Sequence, residues 1–159
     1  MPAFWILVGV SVLLAAACSG EQEPTLVPLF PADYAASYVE VRECRVSSEH
    51  EITPVRVLAE PAAAAAYMGR SADFAEGTIL IKEEYDFADR SCTGPIIQFT
   101  VMQREAPGSA TDQLGWRWQK VSDTRRVISE NEARCANCHR TCGNPPEGYQ
   151  GTCSVVPSP

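Results

Sequence analysis

Alternating apolar and polar residues mark a series of short strands in the middle of the chain. Over Ile96–Arg104 one face carries Ile97, Phe99 and Val101, and the other carries Gln98, Thr100 and Met102. Three more segments have strand character: Pro54–Leu58, Thr78–Tyr85 and Trp116–Val121. Period-two patterning with β-branched and aromatic residues is typical of strands. Because the connections between neighbouring segments are short, we expect antiparallel pairing.

Three other segments predict helices. Asp33–Arg42 places two tyrosines and a valine at spacings of four and three, and Pro61–Met68 has five alanines after a proline suited to a first helical turn. The third helix is expected to begin at Ser129, which has the spacing of a capping box with Glu132. The predicted fold class is therefore α+β, mainly an antiparallel β-sheet with a few flanking helices, and the last helix carries a cysteine motif.

The N-terminus predicts export. Residues 1–17 carry no charged side chain, and Phe4–Ala17 is continuously apolar or small. This run is short for a membrane span, which needs roughly 20 apolar residues, and it fits the core of a signal peptide. Leu14–Cys18 also resembles the lipobox of bacterial lipoproteins, in which the cysteine becomes the lipidated first residue. We expect a lipoprotein signal peptide over 1–17 with lipidation of Cys18; a simple cleaved signal is the alternative.

The polar, proline-bearing stretch Glu21–Pro31 predicts a tether between this anchor and a folded domain. The expected organisation is a tether over 18–31 and one domain over 32–159. The protein would face the periplasm or the cell surface, and Ser19 in place of an aspartate favours the outer membrane. The net charge of −7 argues against nucleic acid as a partner.

Seven cysteines are many for a chain of 159 residues, and export permits disulfides. With Cys18 assigned to lipid and two cysteines to the C-terminal motif, an even number remains. The preferred pairing is Cys44–Cys92 and Cys142–Cys153, the second closing a Gly- and Pro-rich loop. The other two pairings of these four cysteines stay open.

The C-terminal motif is Cys135-Ala-Asn-Cys138-His139. Spacings of three and four place its functional side chains on one side of a helix. This is the arrangement that attaches a c-type haem, in which two thiols bind the vinyl groups and the histidine ligates iron. The sequence predicts one covalently attached haem c, with Cys135 and Cys138 as thioethers and His139 as the proximal iron ligand.

Two other sites could use the same cysteines. A structural zinc ion suits four thiolates, and Cys135, Cys138, Cys142 and Cys153 would supply them. Alternatively, Cys135 and Cys138 could form a thiol–disulfide redox pair, although no thioredoxin-like βαβ pattern accompanies them. Haem attachment is the preferred interpretation.

The other axial position of the iron has few candidates, because the chain has two histidines, His50 and His139. His50 lies in a polar stretch, and we interpret it as a surface or capping residue in preference to a ligand. Met102 is a candidate distal ligand, but methionine in a strand usually packs. We favour an open distal site. Lys82, one of two lysines, is interpreted as a surface residue whose stem covers apolar neighbours.

The order of several motifs resembles the cytochrome P-460 family, with its related c-prime-beta cytochromes, from about Arg42 to His139. The residues that carry the resemblance are Val55–Ala59, Ala66-Tyr67, Gly77–Glu83, Thr100–Met102, Trp116–Trp118 and Cys135–His139.

The resemblance implies an antiparallel β fold, often as a homodimer, and a five-coordinate haem above a histidine that matches His139. In the hydroxylamine-oxidising members a lysine is cross-linked to the porphyrin, and Lys82 matches that position. The c-prime-beta members lack the link and bind gases such as nitric oxide. Glu83, Glu84 and Asp86 lie near Lys82, but the sequence assigns none of them a catalytic role.

Three functional hypotheses follow. The first is a lipid-anchored mono-haem cytochrome with an open distal site that binds or oxidises a small ligand (hydroxylamine, nitric oxide or peroxide) and exchanges electrons with a partner protein. The second is a six-coordinate electron carrier, with Met102 or His50 on the iron. The third is a structural zinc-binding lipoprotein.

Overall fold

One six-stranded antiparallel sheet organises the computed structural model, which describes residues 25–48 and 50–154. The strands follow one another in the sheet in chain order. Their bounds are β1 Val39–Val46, β2 Pro54–Ala59, β3 Ile79–Tyr85, β4 Ile96–Arg104, β5 Trp116–Ser122 and β6 Val127–Glu130. The α-helices are α1 Tyr34–Ser37, α2 Pro61–Gly69 and α3 Ala133–His139, with 3₁₀ turns at Thr111–Gln113 and Arg140–Cys142. The predicted α+β class is confirmed. No helix in these described ranges is long and apolar enough to cross a membrane.

Both faces of the sheet are covered, which explains why β3 is buried along nearly its whole length. One face packs Val57, Leu80 and Trp118 against buried residues of α2 and α3. The opposite face packs side chains of β2 to β5 against Phe30 and Tyr34, which precede the sheet in the chain. The alternation predicted for Ile96–Arg104 is therefore real, and both of its faces are partly covered by other elements.

Two predicted helices have different bounds in the structure. The helix expected over Asp33–Arg42 ends at Ser37, and the chain continues as strand β1, because pairing with β2 outweighs a weak local periodicity. Ser129 does not cap a helix, since it lies in β6 opposite Lys120. Helix α3 begins at Ala133 with Glu132 in the N-cap position and no side-chain capping bond.

The predicted tether is too long at its C-terminal end. Phe30 is 2% exposed, and the guanidinium of Arg125 lies 4.3 Å above the centre of its ring. Gln119 fixes the preceding backbone, since its side chain accepts from Leu29 N over 2.9 Å and donates to Val27 O over 3.0 Å. Residues from Val27 onwards thus belong to the folded domain. Residues 18–24 of the tether, including Cys18, and the signal peptide lie outside the described residues.

Two disulfides connect the chain in the pairing preferred from the sequence. Cys44–Cys92, with an S–S distance of 2.06 Å, joins β1 to the connection between β3 and β4. Cys142–Cys153, at 2.03 Å, closes the loop that follows α3. The second disulfide fixes this loop beside the end of α3.

Candidate haem site

A cleft that is partly open to solvent separates one face of the sheet from helix α3. The sheet contributes side chains from alternating positions of β3, β4 and β5, and α3 contributes the cysteine motif. The residues on which the site depends are Leu80, Lys82, Glu84, Thr100, Met102, Trp118, Cys135, Cys138 and His139.

Helix α3 is anchored beside this cleft by a buried alanine that lies between the two cysteines of the motif. Ala136 is 1% exposed and belongs to the same apolar cluster as Trp116 and Trp118. Cys135 is half-buried, Cys138 is exposed, and both are free thiols. The grouping of these thiols with His139 along one wall of the cleft is what the spacing predicted.

His139 is held in one tautomer. Its Nδ1 donates to the carbonyl of Gly151 over 2.7 Å, and a carbonyl can only accept. The lone pair of the ring therefore resides on Nε2. Burial, followed by the positive charge of Lys82, lowers the pKa of His139 to about 4. The imidazole is thus neutral at physiological pH, which is the form that ligates metals.

The loop that supplies Gly151 is rigidly built. The Cys142–Cys153 disulfide closes it, and the indole Nε1 of Trp116 donates to Gln150 O over 2.8 Å. At Gly148 a Cβ atom would collide with the carbonyl oxygens of Thr152 and Cys142, so a side chain has no room there. Sequence reasoning found the disulfide and the loop but not the role of Gly151, since no local pattern reveals which carbonyl a distant histidine contacts.

His50 lies in the cleft, so its interpretation as a surface residue is wrong. The turn between β1 and β2 has two consecutive residues with positive φ, Glu51 (57°) and Ile52 (63°). Lys82 Nζ lies 2.5 Å from His50 Nε2, and His50 Nδ1 lies 3.5 Å from Glu84 Oε1. The two ring nitrogens of His50 thus face a cation donor on one side and a carboxylate on the other.

Glu84 is the fixed anion of this group. Gln98 Nε2 donates to one carboxylate oxygen over 2.9 Å, and Thr100 Oγ1 donates to the other over 3.1 Å. Burial alone would raise the pKa of Glu84, but the hydrogen bond and charge of His50, the charge of Lys82 and the hydrogen bond from Thr100 together lower it. Glu84 therefore stays ionised.

Lys82 is partly buried and lines the cleft, where its Nζ contacts His50, so its interpretation as a surface lysine is also wrong. Burial lowers the pKa of its amine to about 8, with Glu84 opposing the shift and Arg45 and Arg42 adding to it. The amine is therefore easier to deprotonate than an ordinary lysine, although it keeps an anionic neighbour.

The remaining sequence candidates are placed differently. Glu83 points to the opposite face of the sheet, where it accepts from Tyr34 and Tyr85 and pairs with Arg56. Asp86 is exposed in the turn after β3. Met102 is partly buried beside its cross-strand neighbours Leu80 and Trp118 and lines the cleft.

The zinc interpretation is wrong. Cys142 and Cys153 are joined to each other, so two of the four proposed thiolate ligands are unavailable to a metal. Within residues 25–48 and 50–154, no group of three or more His, Cys, Asp or Glu side chains could hold a metal ion. The antiparallel sheet likewise lacks, over the same ranges, the parallel βαβ unit of a thioredoxin-like frame.

Comparison with known families decides the relationship. The family model described as Cytochrome P460 matches residues 31–144. The chain belongs to the cytochrome P460 family. The resemblance inferred from the order of motifs is thereby confirmed, and membership implies a haem cofactor. No curated protein matches the chain significantly. The match ends at residue 144, so Gly151 and Cys153 lie beyond it.

The residues of the cleft fit a haem. Two free thiols and a neutral histidine with its lone pair on Nε2 lie on the wall formed by α3. Leu80, Met102 and Trp118 give the cleft an apolar lining of the kind that surrounds a macrocycle. Cys135, Cys138 and His139 are therefore the residues that would hold the cofactor of this cytochrome P460 member.

Proposed function

We propose that this protein is an exported mono-haem c-type cytochrome whose cleft binds or oxidises a small polar ligand. The observation that carries the proposal is the neutral His139, fixed in one tautomer beside two free thiols. In this proposal Cys135 and Cys138 hold the haem as thioethers and His139 is the proximal ligand. The haem, when bound, supplies an iron that exchanges electrons and takes up small ligands.

The polar side of the cleft supports a ligand that contains nitrogen or oxygen. Lys82 offers N–H donors, and Glu84 offers a carboxylate that stays ionised. Because Glu84 is buried and Lys82 is partly buried, their hydrogen bonds to a ligand would be stronger than in water. Hydroxylamine, nitric oxide and peroxide are the candidates. Lys82 is also the residue that would carry a cross-link to the porphyrin if the protein belongs to the hydroxylamine-oxidising branch.

The cellular setting completes the proposal. Cys18 would be lipidated after removal of residues 1–17, and the domain would face the periplasm or the cell surface, with the outer membrane favoured. Only eight residues, 19–26, separate Cys18 from Val27, whose carbonyl already contacts the sheet. An electron-transfer partner would therefore have to reach the domain close to the membrane.

The test is haem-peptide mass analysis and ligand binding on protein from a host that matures c-type cytochromes. We expect the mass of one haem on the peptide with Cys135 and Cys138, and binding of nitric oxide by the reduced protein. A C135S/C138S variant, which keeps both disulfides and His139, is the matched control and should lack covalent haem. Wild-type protein of the unmodified mass would refute the proposal. A haem peptide joined to the Lys82 peptide would identify the enzymatic branch.

A further inference from the structure

Two histidine rings face each other across the cleft. The ring centroids of His50 and His139 lie 6.4 Å apart, and their planes cross at 79°. One ring comes from the end of α3 and the other from the turn between β1 and β2, and both line the same cleft. The fold thus brings together the two histidines of the chain, which are 89 positions apart in sequence.

In both rings Nδ1 has an oxygen partner, at 2.7 Å for His139 and at 3.5 Å for His50. His139 Nδ1 donates to Gly151 O, and His50 Nδ1 is directed at the ionised carboxylate of Glu84. Histidines that ligate metals typically donate their second ring nitrogen to a carbonyl or a carboxylate, which fixes the tautomer and raises the basicity of the ligating nitrogen. In the neutral form of each ring, these contacts leave the lone pair on Nε2.

The separation of the rings matches a shared metal. A histidine nitrogen lies about 2.0–2.1 Å from a bound transition metal, so two such nitrogens on opposite sides are about 4 Å apart. The ring centroids of such a pair are then about 6 Å apart, since each centroid lies about 1 Å behind its nitrogen. The observed 6.4 Å is close to this value.

We propose that His50 is a displaceable sixth ligand of the haem iron in the resting protein. The proposal rests on the proposed function, because it requires the haem held by α3. It replaces the open distal site expected from the sequence with a site that opens when a small ligand displaces His50.

The surroundings of His50 would allow a ligand to displace its ring from the iron. Its side chain is 21% exposed and belongs to a turn, whereas His139 is anchored by a helix and by a disulfide-closed loop. Lys82 Nζ, 2.5 Å from His50 Nε2, offers this nitrogen an alternative partner once it leaves the iron. Met102 is the rival ligand, but it packs among Leu80 and Trp118 on a strand.

Optical and electron paramagnetic resonance spectra of the oxidised holoprotein test the assignment. We expect low-spin iron, with the strongly anisotropic signal that near-perpendicular axial imidazoles produce. The H50A variant should become high-spin with unchanged haem content, whereas M102L and the turn variant I52A should stay low-spin. High-spin iron in the wild type, or a low-spin signal that survives H50A, would overturn the proposal.

Ligand kinetics give an independent measurement. If His50 must leave first, the rate of carbon monoxide binding to the reduced wild type will level off as the ligand concentration rises. In H50A the rate should rise linearly with concentration and exceed the wild-type plateau at least tenfold. Equal, linear kinetics in both proteins would contradict the proposal. Absence of covalent haem from the wild type would instead refute the proposed function, so the two failures are distinguishable.

Discussion

At the scale of single residues, the sheet separates two groups of ionisable side chains that neighbour each other in sequence. Glu83 and Glu84 are adjacent in β3 but point to opposite faces. Glu84 faces His50 in the cleft, whereas Glu83 accepts from the phenols of Tyr34 and Tyr85 on the far side. Alternation along one strand thus gives one carboxylate a place in the site and the other a place in the core.

Glu83 and the two tyrosines that donate to it, Tyr34 and Tyr85, form the Glu83 group. Because of this group, we expect the fold to lose stability at alkaline pH. Burial, followed by the hydrogen bond to Glu83, raises the pKa of Tyr34 and of Tyr85 well above 10. A raised pKa stabilises the fold fully below the ordinary value near 10, and this stabilisation is lost as the pH rises above it. The free energy of unfolding should fall above pH 10 by up to about 1.4 kcal/mol per pH unit for each tyrosine.

Denaturant unfolding between pH 8 and pH 11 measures this slope. Y85F removes one titrating group and should make the slope shallower. The control is Y149F, since Tyr149 lies outside the Glu83 group and its phenol is not one of those that Glu83 accepts from. An unchanged slope in Y85F would show that Tyr85 does not titrate between the folded and unfolded states.

At the scale of elements, the central strands were predictable and the edges were not. Segments of β2 to β5 alternate or are continuously apolar, because each packs on one or both faces of the sheet. The edge strand β1 carries four charged residues among eight, and β6 has four residues, so neither has a hydrophobic period to detect. These two strands form because they pair with β2 and β5, and their own sequences do not predict this pairing.

Some residues of the site were likewise predictable from the sequence, and others were not. Cys135, Cys138 and His139 are close in sequence, so helical spacing alone predicted that they act together. His50 joins them through the β1–β2 turn, and Gly151 joins them through a loop closed by a disulfide. These two contacts depend on tertiary packing. No residue pattern in the β1–β2 turn or in the loop after α3 predicts them.

The two disulfides make a matched pair for testing the proximal loop. Removing either should cost on the order of 3–4 kcal/mol of stability by the chain-entropy model. C142S/C153S should also weaken the bond from His139 to Gly151, which makes the ligand less basic and the reduction potential of the haem more positive. C44S/C92S should lose stability without this shift. Voltammetry of the two holoproteins measures this reduction potential. Equal potentials would contradict the prediction that the loop influences the haem through His139.

At the scale of the whole molecule, the two faces of the sheet serve different purposes. One face bears the cleft and α3, and the other is covered by the segment that contains Phe30. Phe30 contacts the rings of Tyr34 and Phe99 at centroid distances of 5.2 and 5.1 Å. The covered face stabilises the sheet on which the site is built, at a distance from the cleft.

This separation predicts that stability and spectrum can be changed independently. F30A should lower the free energy of unfolding by about 3–5 kcal/mol, the usual cost of such a truncation in a core. Because Phe30 lies behind the sheet, the optical spectrum of the holoprotein should not change. L26A, at a side chain that is 44% exposed, should cost far less. A spectral shift in F30A would mean that the two faces are coupled.

The Cys142–Cys153 disulfide has a consequence for maturation. Four cysteines fall within the 19 residues from Cys135 to Cys153, and the proposed function requires two of them to stay reduced until haem arrives. The other two must be oxidised in the same compartment. Cys138 and Cys142 are four residues apart, so a wrong bond between them would be a local competitor. The order in which oxidase and haem-attachment machinery act on the emerging chain therefore determines how much of it becomes holoprotein.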